Sequence, residues 1–307
     1  MCMKIRRQAL CLLVLGVLIW FLMDAQSVRA AALDALELCA ASVIPALFPF
    51  LVVSTLLLKL GFGEALAPWL AGLMEPLFRV GGAGGAALVL GLAGGYPVGA
   101  RTAAELYTAG SLSREEAERL LCFANNSNPV FLISVLGVGV FGSVRTGVWL
   151  WLIHVLCALL TGLLFRGHGV SFGHQYRKRE STSQNISFSS ALVQSVREGL
   201  GAILSVCAFV VFFYVLSRPL LSLDGLAGTA AVGITELFSL TPLLTPDRMG
   251  FALAAAMAGW GGLSVLCQTA AVVEKSGLPM GRAAAGRAVH GLLSGLLGWL
   301  LAGYVLG

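Results

Sequence analysis

The chain has 307 residues, of which 58% are hydrophobic and 11% charged, whereas a soluble domain carries about 25% charged residues. That balance excludes a soluble globular fold, and the lack of period-two alternation argues against a β-barrel, so an all-α, polytopic helical membrane protein is predicted. The net charge of +5 reads as topology, because Lys and Arg gather on the cytoplasmic side; with no basic stripe interleaved with aromatic residues, nucleic acid is not an expected partner.

Eight to ten hydrophobic segments are predicted, near 9–24, 34–58, 65–78, 82–106, 119–141, 146–166, 190–217, 225–240, 249–273 and 287–306. Those at 65–78 and 225–240 are short, which suits re-entrant or steeply tilted paths. At the start, Lys4, Arg6 and Arg7 precede an apolar run from Ala9 to Met23, and Val28-Arg29-Ala30 resembles a cleavage site. That is the layout of a signal peptide. Because further spans follow, residues 1–31 are read as an uncleaved, signal-anchor-like helix. Residues 167–189 hold His168, His174, Arg177, Lys178, Arg179 and Glu180. Their basic cluster marks a cytoplasmic linker between 32–166, a first repeat plus connecting helix, and 190–307, a second repeat.

The two parts echo each other. At an offset of 167, Gly94, Gly95, Val98, Thr102, Ala103 and Ala104 meet identical residues in 261–271, and residues 32–57 align without gaps on 191–216. With the N-terminus inside, six crossings precede the linker. The second and seventh segments are then an odd number of crossings apart, which gives two inverted repeats with broken or re-entrant helices. Paired breaks in apolar segments point to a transport site at the midplane.

The first break, Gly94-Gly95-Tyr96-Pro97-Val98-Gly99, cannot be an ordinary helix, since Pro97 lacks an N–H and disfavours helical geometry at Tyr96. Backbone groups freed there need partners, so Gly94, Gly95, Tyr96, Pro97 and Gly99 are candidate substrate-binding residues. Arg101 follows in an apolar segment, with Glu105 one turn on. Two placements stay open for this pair: a cavity, where Arg101 would grip a carboxylate, or the cytoplasmic boundary, with Arg101 snorkelling. Asn125, Asn126, Ser127 and Asn128, followed by Pro129, interrupt a second apolar run and could bind a polar solute. In the second part Gly261, Gly262, Ser264 and Gln268 form the matching break, with Gln268 in the position of Arg101. The expected site is therefore charged from the first part only. Glu75, Glu105 and Glu236 are candidate proton or cation sites, with interfacial placement open. His154 and His290 read as packing or boundary residues.

The seven cysteines stand singly, and no metal-binding spacing or cofactor motif occurs. Without a phosphate-binding lysine loop, a nucleophile elbow or a zinc-protease motif, no enzymatic activity is expected.

On the Gly94–Arg101 block, Leu112–Leu121, Phe123–Pro129, Phe141-Gly142-Ser143 and Gly261–Val265, the chain resembles the YlbJ (SpoVV) family of sporulation membrane proteins, within the nucleoside recognition or Gate group. The resemblance runs from about residue 32 onward. It implies a transporter in the bacterial cell membrane, with the outer forespore membrane as one option, that moves dipicolinic acid during endospore formation. The expected partners are the lipid bilayer and a small anionic solute such as dipicolinate. A non-transporting sporulation scaffold and a nucleoside transporter are the alternatives.

Overall fold

A computed structural model describes residues 2–167, 187–223 and 225–307. Among the described residues there are helices, turns and loops and no strands. The protein is all-α. The basic cluster of the expected linker, from His168 to Glu180, lies outside the described residues.

Helix α1 (Cys2–Met23) leaves its leucines exposed. Next, α2 (Ala25–Leu38) passes through a π-helical turn at Cys39–Val43 into α3 (Ile44–Lys59), making one apolar segment of 35 residues, Ala25–Lys59. Pro45 has no N–H to offer the carbonyl of Ala41, and the wide turn falls where that bond is missing. Cys39, Val43, Leu47 and Leu51 recur every fourth residue on one stripe, and they pack against Ile203, Val206 and Val210 of a later long helix. The two stretches that align in sequence thus pack on each other.

Helix α4 (Phe62–Phe78) ends at Arg79 with φ +53°, and the chain bends by 96° into Gly82–Gly94. Helices α5 (Gly85–Gly94) and α6 (Val98–Thr108) then lie side by side. A β-carbon on Gly63 would sit 3.8 Å from Ala86 Cβ and 3.3 Å from Leu106 Cδ2, so the start of α5 and the end of α6 are neighbours. A straight helix would hold those residues about 30 Å apart. The segment read as a single span at 82–106 is therefore a hairpin. Its arms are about 15 Å long, half of a bilayer core. Gly95, at φ +80°, and Pro97 end one arm and start the other. The hairpin also removes one crossing from the six on which the opposite orientation of the repeats was argued.

Next comes α7 (Arg114–Phe123), whose start is fixed by a capping box: the Ser113 hydroxyl accepts from the Glu116 N–H, and the Glu116 carboxylate accepts from the Ser113 N–H. After α7, residues 124–129 are non-helical, a π-helix follows at Phe131–Val140, and α8 (Val144–Leu164) closes the first part. The second part runs through α9 (Phe188–Ser217), α10 (Gly225–Thr235), α11 (Leu237–Leu240), α12 (Arg248–Trp260), α13 (Gly262–Val273) and α14 (Gly281–Leu306).

The order of elements recurs, with α9 standing for α2–α3, α10 for α4, α12–α13 for the hairpin, and α14 for α7 plus the π-helix. The geometry does not recur. Arg248–Ser276 continues as one apolar segment of 29 residues. Only Gly261 separates α12 from α13, Ser264 stands where the first part has Pro97, and the Gly261 N–H still donates to Met257 at 2.7 Å. Among the described residues, five helical segments are long and apolar enough to cross a membrane, and six if the bent pair from Phe62 to Gly94 counts as one.

Helix α14 sits between α12 and α7. A β-carbon on Gly259 would lie 2.9 Å from Gly291 Cα, and one on Gly286 would lie 2.6 Å from Cys122 Cβ. These close approaches fix the height and rotation of α14, and with them the place of Arg287.

Candidate functional site

Three interruptions meet in the interior: the hairpin tip at 94–97, the loop at 124–129 and the break at 261–262. The hairpin holds the loop by close approach. A β-carbon on Gly91 would fall 1.8 Å from the Ala124 carbonyl oxygen, and one on Gly99 would fall 1.9 Å from it, so neither arm has room for a side chain there. Gly95 packs against Asn128, whose Nδ2 donates to the Gly94 carbonyl at 3.1 Å and whose Oδ1 accepts from the Val130 N–H at 2.7 Å. Asn128 thus supplies partners on both sides of the interruption, as buried backbone requires.

The loop reaches the second part through two side chains. Asn125 Nδ2 donates to Thr269 Oγ1 at 2.9 Å, and Ser127 Oγ donates to the Ala258 carbonyl at 3.3 Å. Asn126 turns back to donate to the Phe123 carbonyl at 2.9 Å. The side-chain oxygens of Asn125 and Asn126 are buried with no partner among the described residues.

The break at 261–262 frees carbonyls at the end of α12. An unbroken helix would give Ala258 the N–H of Gly262, but both Gly261 and Gly262 have φ +85° and carry the chain off that path. The Ala258 oxygen instead receives the Tyr96 hydroxyl at 2.8 Å, Ser127 and Arg287.

Arg287 is the centre of this arrangement. It is 2% exposed and donates Nε–H to the Trp260 carbonyl at 3.1 Å, Nη1–H to the Asn125 carbonyl at 2.5 Å, and Nη2–H to the Tyr96 hydroxyl and the Ala258 carbonyl. Its guanidinium carbon also lies 4.5 Å from the centroid of the Tyr96 ring. No carboxylate pairs with it among the described residues. An arginine at the centre of a membrane helix costs about 2.5–3.5 kcal/mol on insertion scales, and a hydrogen bond to a charged group contributes about 1.5–3 kcal/mol. The carbonyls at the ends of α7 and α12, the negative ends of those helices, are therefore enough to seat the side chain. They leave its charge without a counter-ion.

The other expected residues fall into two groups. Gly94, Gly95, Tyr96, Pro97, Gly99, Asn125, Asn126, Ser127, Asn128 and Gly261 lie at the meeting point; Gly261 is near enough that a β-carbon would be 3.0 Å from Arg287 Nη2. Gly262 abuts Thr235 and Glu236, while Ser264 and Gln268 are buried one turn apart on α13, joined at 3.1 Å. Glu236, 1% exposed, caps α11 by accepting the Ser239 N–H at 2.5 Å. Arg101 is drawn elsewhere. It is half-buried, with Nε 2.7 Å from Glu105 and Nη2 2.5 Å from Glu198, and Glu198 in turn lies 2.9 Å from Lys59 Nζ. Glu75 is half-buried on α4.

The charge at the meeting point therefore comes from the second part, opposite to the expected asymmetry. The expected last span began near 287 and Arg287 was not among the expected site residues, yet the helix starts at Gly281. One available signal was spacing: Arg287, His290 and Ser294 fall on one helical face, and all three are buried.

These features define an integral membrane protein of the polytopic helical class, with its broken helices converging on a buried cation. Residues 40–146 match the family model described as nucleoside recognition (Gate), a range that contains the hairpin and the 124–129 loop. The chain is similar to the sporulation integral membrane protein YlbJ of Bacillus subtilis (strain 168), at 32% identity over 218 residues, which are 64% of this chain and 53% of that relative. It spans about half the length of that curated relative. No solved structure matches. The chain is thus similar to the Gate-domain group over residues 40–146 and to YlbJ over about half of that relative.

Proposed function

We propose that the protein is a transporter, not an enzyme, that carries a small anionic solute across a bacterial membrane, with Arg287 as the solute's counter-charge. The observation that carries this reading is the buried guanidinium held by carbonyls and Tyr96, with no carboxylate on it among the described residues. The N-termini of α6 and α13 start at the same breaks and add favourable ends for an anion. The solute would take a share of the guanidinium now given to carbonyls, loosening the hold between hairpin and α12, and alternating access would follow from movement of one part against the other.

The relative's name supports a role in sporulation, and dipicolinate is the solute proposed on that ground. The partners are then the bilayer and the solute, with no nucleic acid. Uptake of dipicolinate into proteoliposomes tests the reading: wild type should take it up, and Arg287→Ala should not. Uptake unchanged by Arg287→Ala would remove Arg287 from the path. No uptake by folded wild type would favour a scaffold. The description of the matched family favours one second reading, nucleoside transport, and competition by uridine against dipicolinate separates the two.

A further inference from the structure

His154 on α8 and His290 on α14 stand with ring centroids 4.4 Å apart and planes tilted by 44°. Both are buried, and their hydrogen bonds assign their tautomers. The Ser127 N–H donates to His154 Nε2 at 3.1 Å, so that nitrogen is bare and the neutral ring carries its hydrogen on Nδ1. His290 Nε2 lies 3.0 Å from the His154 carbonyl oxygen. A carbonyl only accepts, so Nε2 carries the hydrogen and His290 Nδ1 is bare. Neither Nδ1 has a partner among the described residues, and nor has Ser294 Oγ, one turn beyond His290. A free donor, a free acceptor and a hydroxyl that can serve as either are thus enclosed together.

We propose that the His154–His290 pair is a proton-binding site, and that its proton loads together with the anion at Arg287. The second half of this statement rests on the transport reading; the proton's seat does not. The seat is His290 Nδ1, the one bare ring nitrogen of the pair that no backbone group occupies. The proton comes from bulk water and returns to it. His154 can take a proton on Nε2 only by releasing the Ser127 N–H. A proton moving across the pair therefore pulls on the loop that also binds Arg287 through Asn125.

Coupling to the anion follows from charge. His290 is three residues beyond Arg287 on one helix face, where Cβ atoms are about 5–6 Å apart. A protonated His290 sets a second positive charge beside the guanidinium, away from water, and the two oppose each other until an anion arrives. Each then raises the affinity for the other, by reciprocal linkage. The other titratable groups beside the pair are Arg287 on α14 and Cys157 on α8; on α7, Cys122 donates to the Glu118 and Arg282 carbonyls and Glu118 pairs with Arg282, away from the rings. The π-helix has none, Arg248 stacks on Trp299 at the opposite end of α12, and Glu75 and Arg79 lie at the end of α4, whose Phe78 packs at Gly162. No carboxylate faces the pair from these elements, so the solute itself is the partner for the proton.

The test uses the full chain in lipid nanodiscs, labelled with ¹⁵N in its histidines, with His154→Gln and His290→Gln for assignment. Between about pH 4 and 9, His290 Nδ1 of the wild-type pair should titrate, and dipicolinate should shift that titration to higher pH. A pair that does not titrate overturns the proton site even if transport is confirmed, and titration at His154 Nε2 with release of the Ser127 amide overturns its seat at His290 Nδ1. In proteoliposomes loaded with a pH dye, wild-type dipicolinate entry should carry protons inward. His290→Gln should bind dipicolinate about tenfold more weakly, independently of pH, and carry no protons. Proton entry unchanged in His290→Gln overturns the proposal. If wild type moves no dipicolinate, the transport reading fails, and the ring titration still decides the proton site.

Discussion

Arg287 Nη1 lies 2.5 Å from the carbonyl oxygen of Asn125, a bond between residues 162 positions apart. It joins the last helix to the loop of the first part. The same guanidinium reaches the end of α12 and the hairpin tip, so four elements far apart in the chain share one cation. A side chain with that many partners both positions the breaks and sets their electrostatics. The substitutions that separate these two effects are the informative ones.

Tyr96 provides such a separation. Its hydroxyl accepts from Arg287 and donates to the Ala258 carbonyl, while its ring lies under the guanidinium. Tyr96→Phe keeps the ring and removes both hydrogen bonds, leaving a buried donor and acceptor short of a partner at a cost of about 1–3 kcal/mol. Tyr96→Ala also loses the cation–π contact, a further 0.5–2 kcal/mol or about that. Thermal midpoints in detergent should fall in the order wild type, Tyr96→Phe, Tyr96→Ala, and dipicolinate affinity should fall in the same order. Equal midpoints for wild type and Tyr96→Phe would show that the hydroxyl is not engaged as described.

Arg101 is expected to behave differently from Arg287. Its partners Glu105 and Glu198 are half-exposed, and such pairs contribute about 0–1 kcal/mol. Arg101→Gln should therefore bind dipicolinate within about threefold of wild type, and its small stability loss should shrink further in high salt. Arg287→Gln should lose binding altogether. Loss of binding in Arg101→Gln at normal stability would return Arg101 to the site.

The hairpin makes a steric prediction. Gly91 and Gly99 both face the Ala124 carbonyl at distances where no β-carbon fits. Either Gly91→Ala or Gly99→Ala must push the hairpin off the loop, and overpacking of this kind costs about 1–3 kcal/mol. Gly110→Ala is the control for a glycine in open space, although its φ of +78° adds strain of its own. In an Ala86→Cys, Leu106→Cys double variant, a short bifunctional thiol reagent should join the two positions, since both flank Gly63. Failure to crosslink would argue for a continuous helix over 85–108.

Where the breaks lie was legible in the sequence, because Gly95, Pro97, Pro129 and Gly261 act locally on the backbone. That the breaks converge was legible too, from the repeat and from the polar side chains beside each one. How the first break is used was not. A proline and glycines say that a ladder stops, but whether the chain continues or folds back depends on what the arms pack against, here Ala124, Gly63 and Asn128. The charge was misassigned for a related reason. Arg101 and Arg287 look alike in sequence, and only tertiary placement gives one of them Glu198 and the other two helix ends. The histidines read only as packing or boundary residues because a pair across α8 and α14 leaves no spacing signal in either helix alone.

Asp247 offers a test that is independent of the transport reading. It caps α12 at an exposed position: its Oδ1 accepts the Gly250 N–H at 2.7 Å, and its Oδ2 accepts the Thr245 hydroxyl at 2.9 Å. The Gly250 N–H first, and then the Thr245 hydroxyl, hold the carboxyl below its usual range. A carboxyl depressed in the folded state stabilises the fold fully above its unfolded value, about 3.9, and loses that contribution as pH falls through the folded value. The thermal midpoint of wild type should therefore exceed that of Asp247→Ala at pH 7, and the difference should close as the pH drops below about 4. Asp247→Asn keeps an acceptor for the cap and should show a midpoint near wild type at pH 7 without the acid-dependent loss. A wild-type advantage over Asp247→Ala that stays constant down to about pH 2 would mean that the ionised carboxylate is not what holds the start of α12.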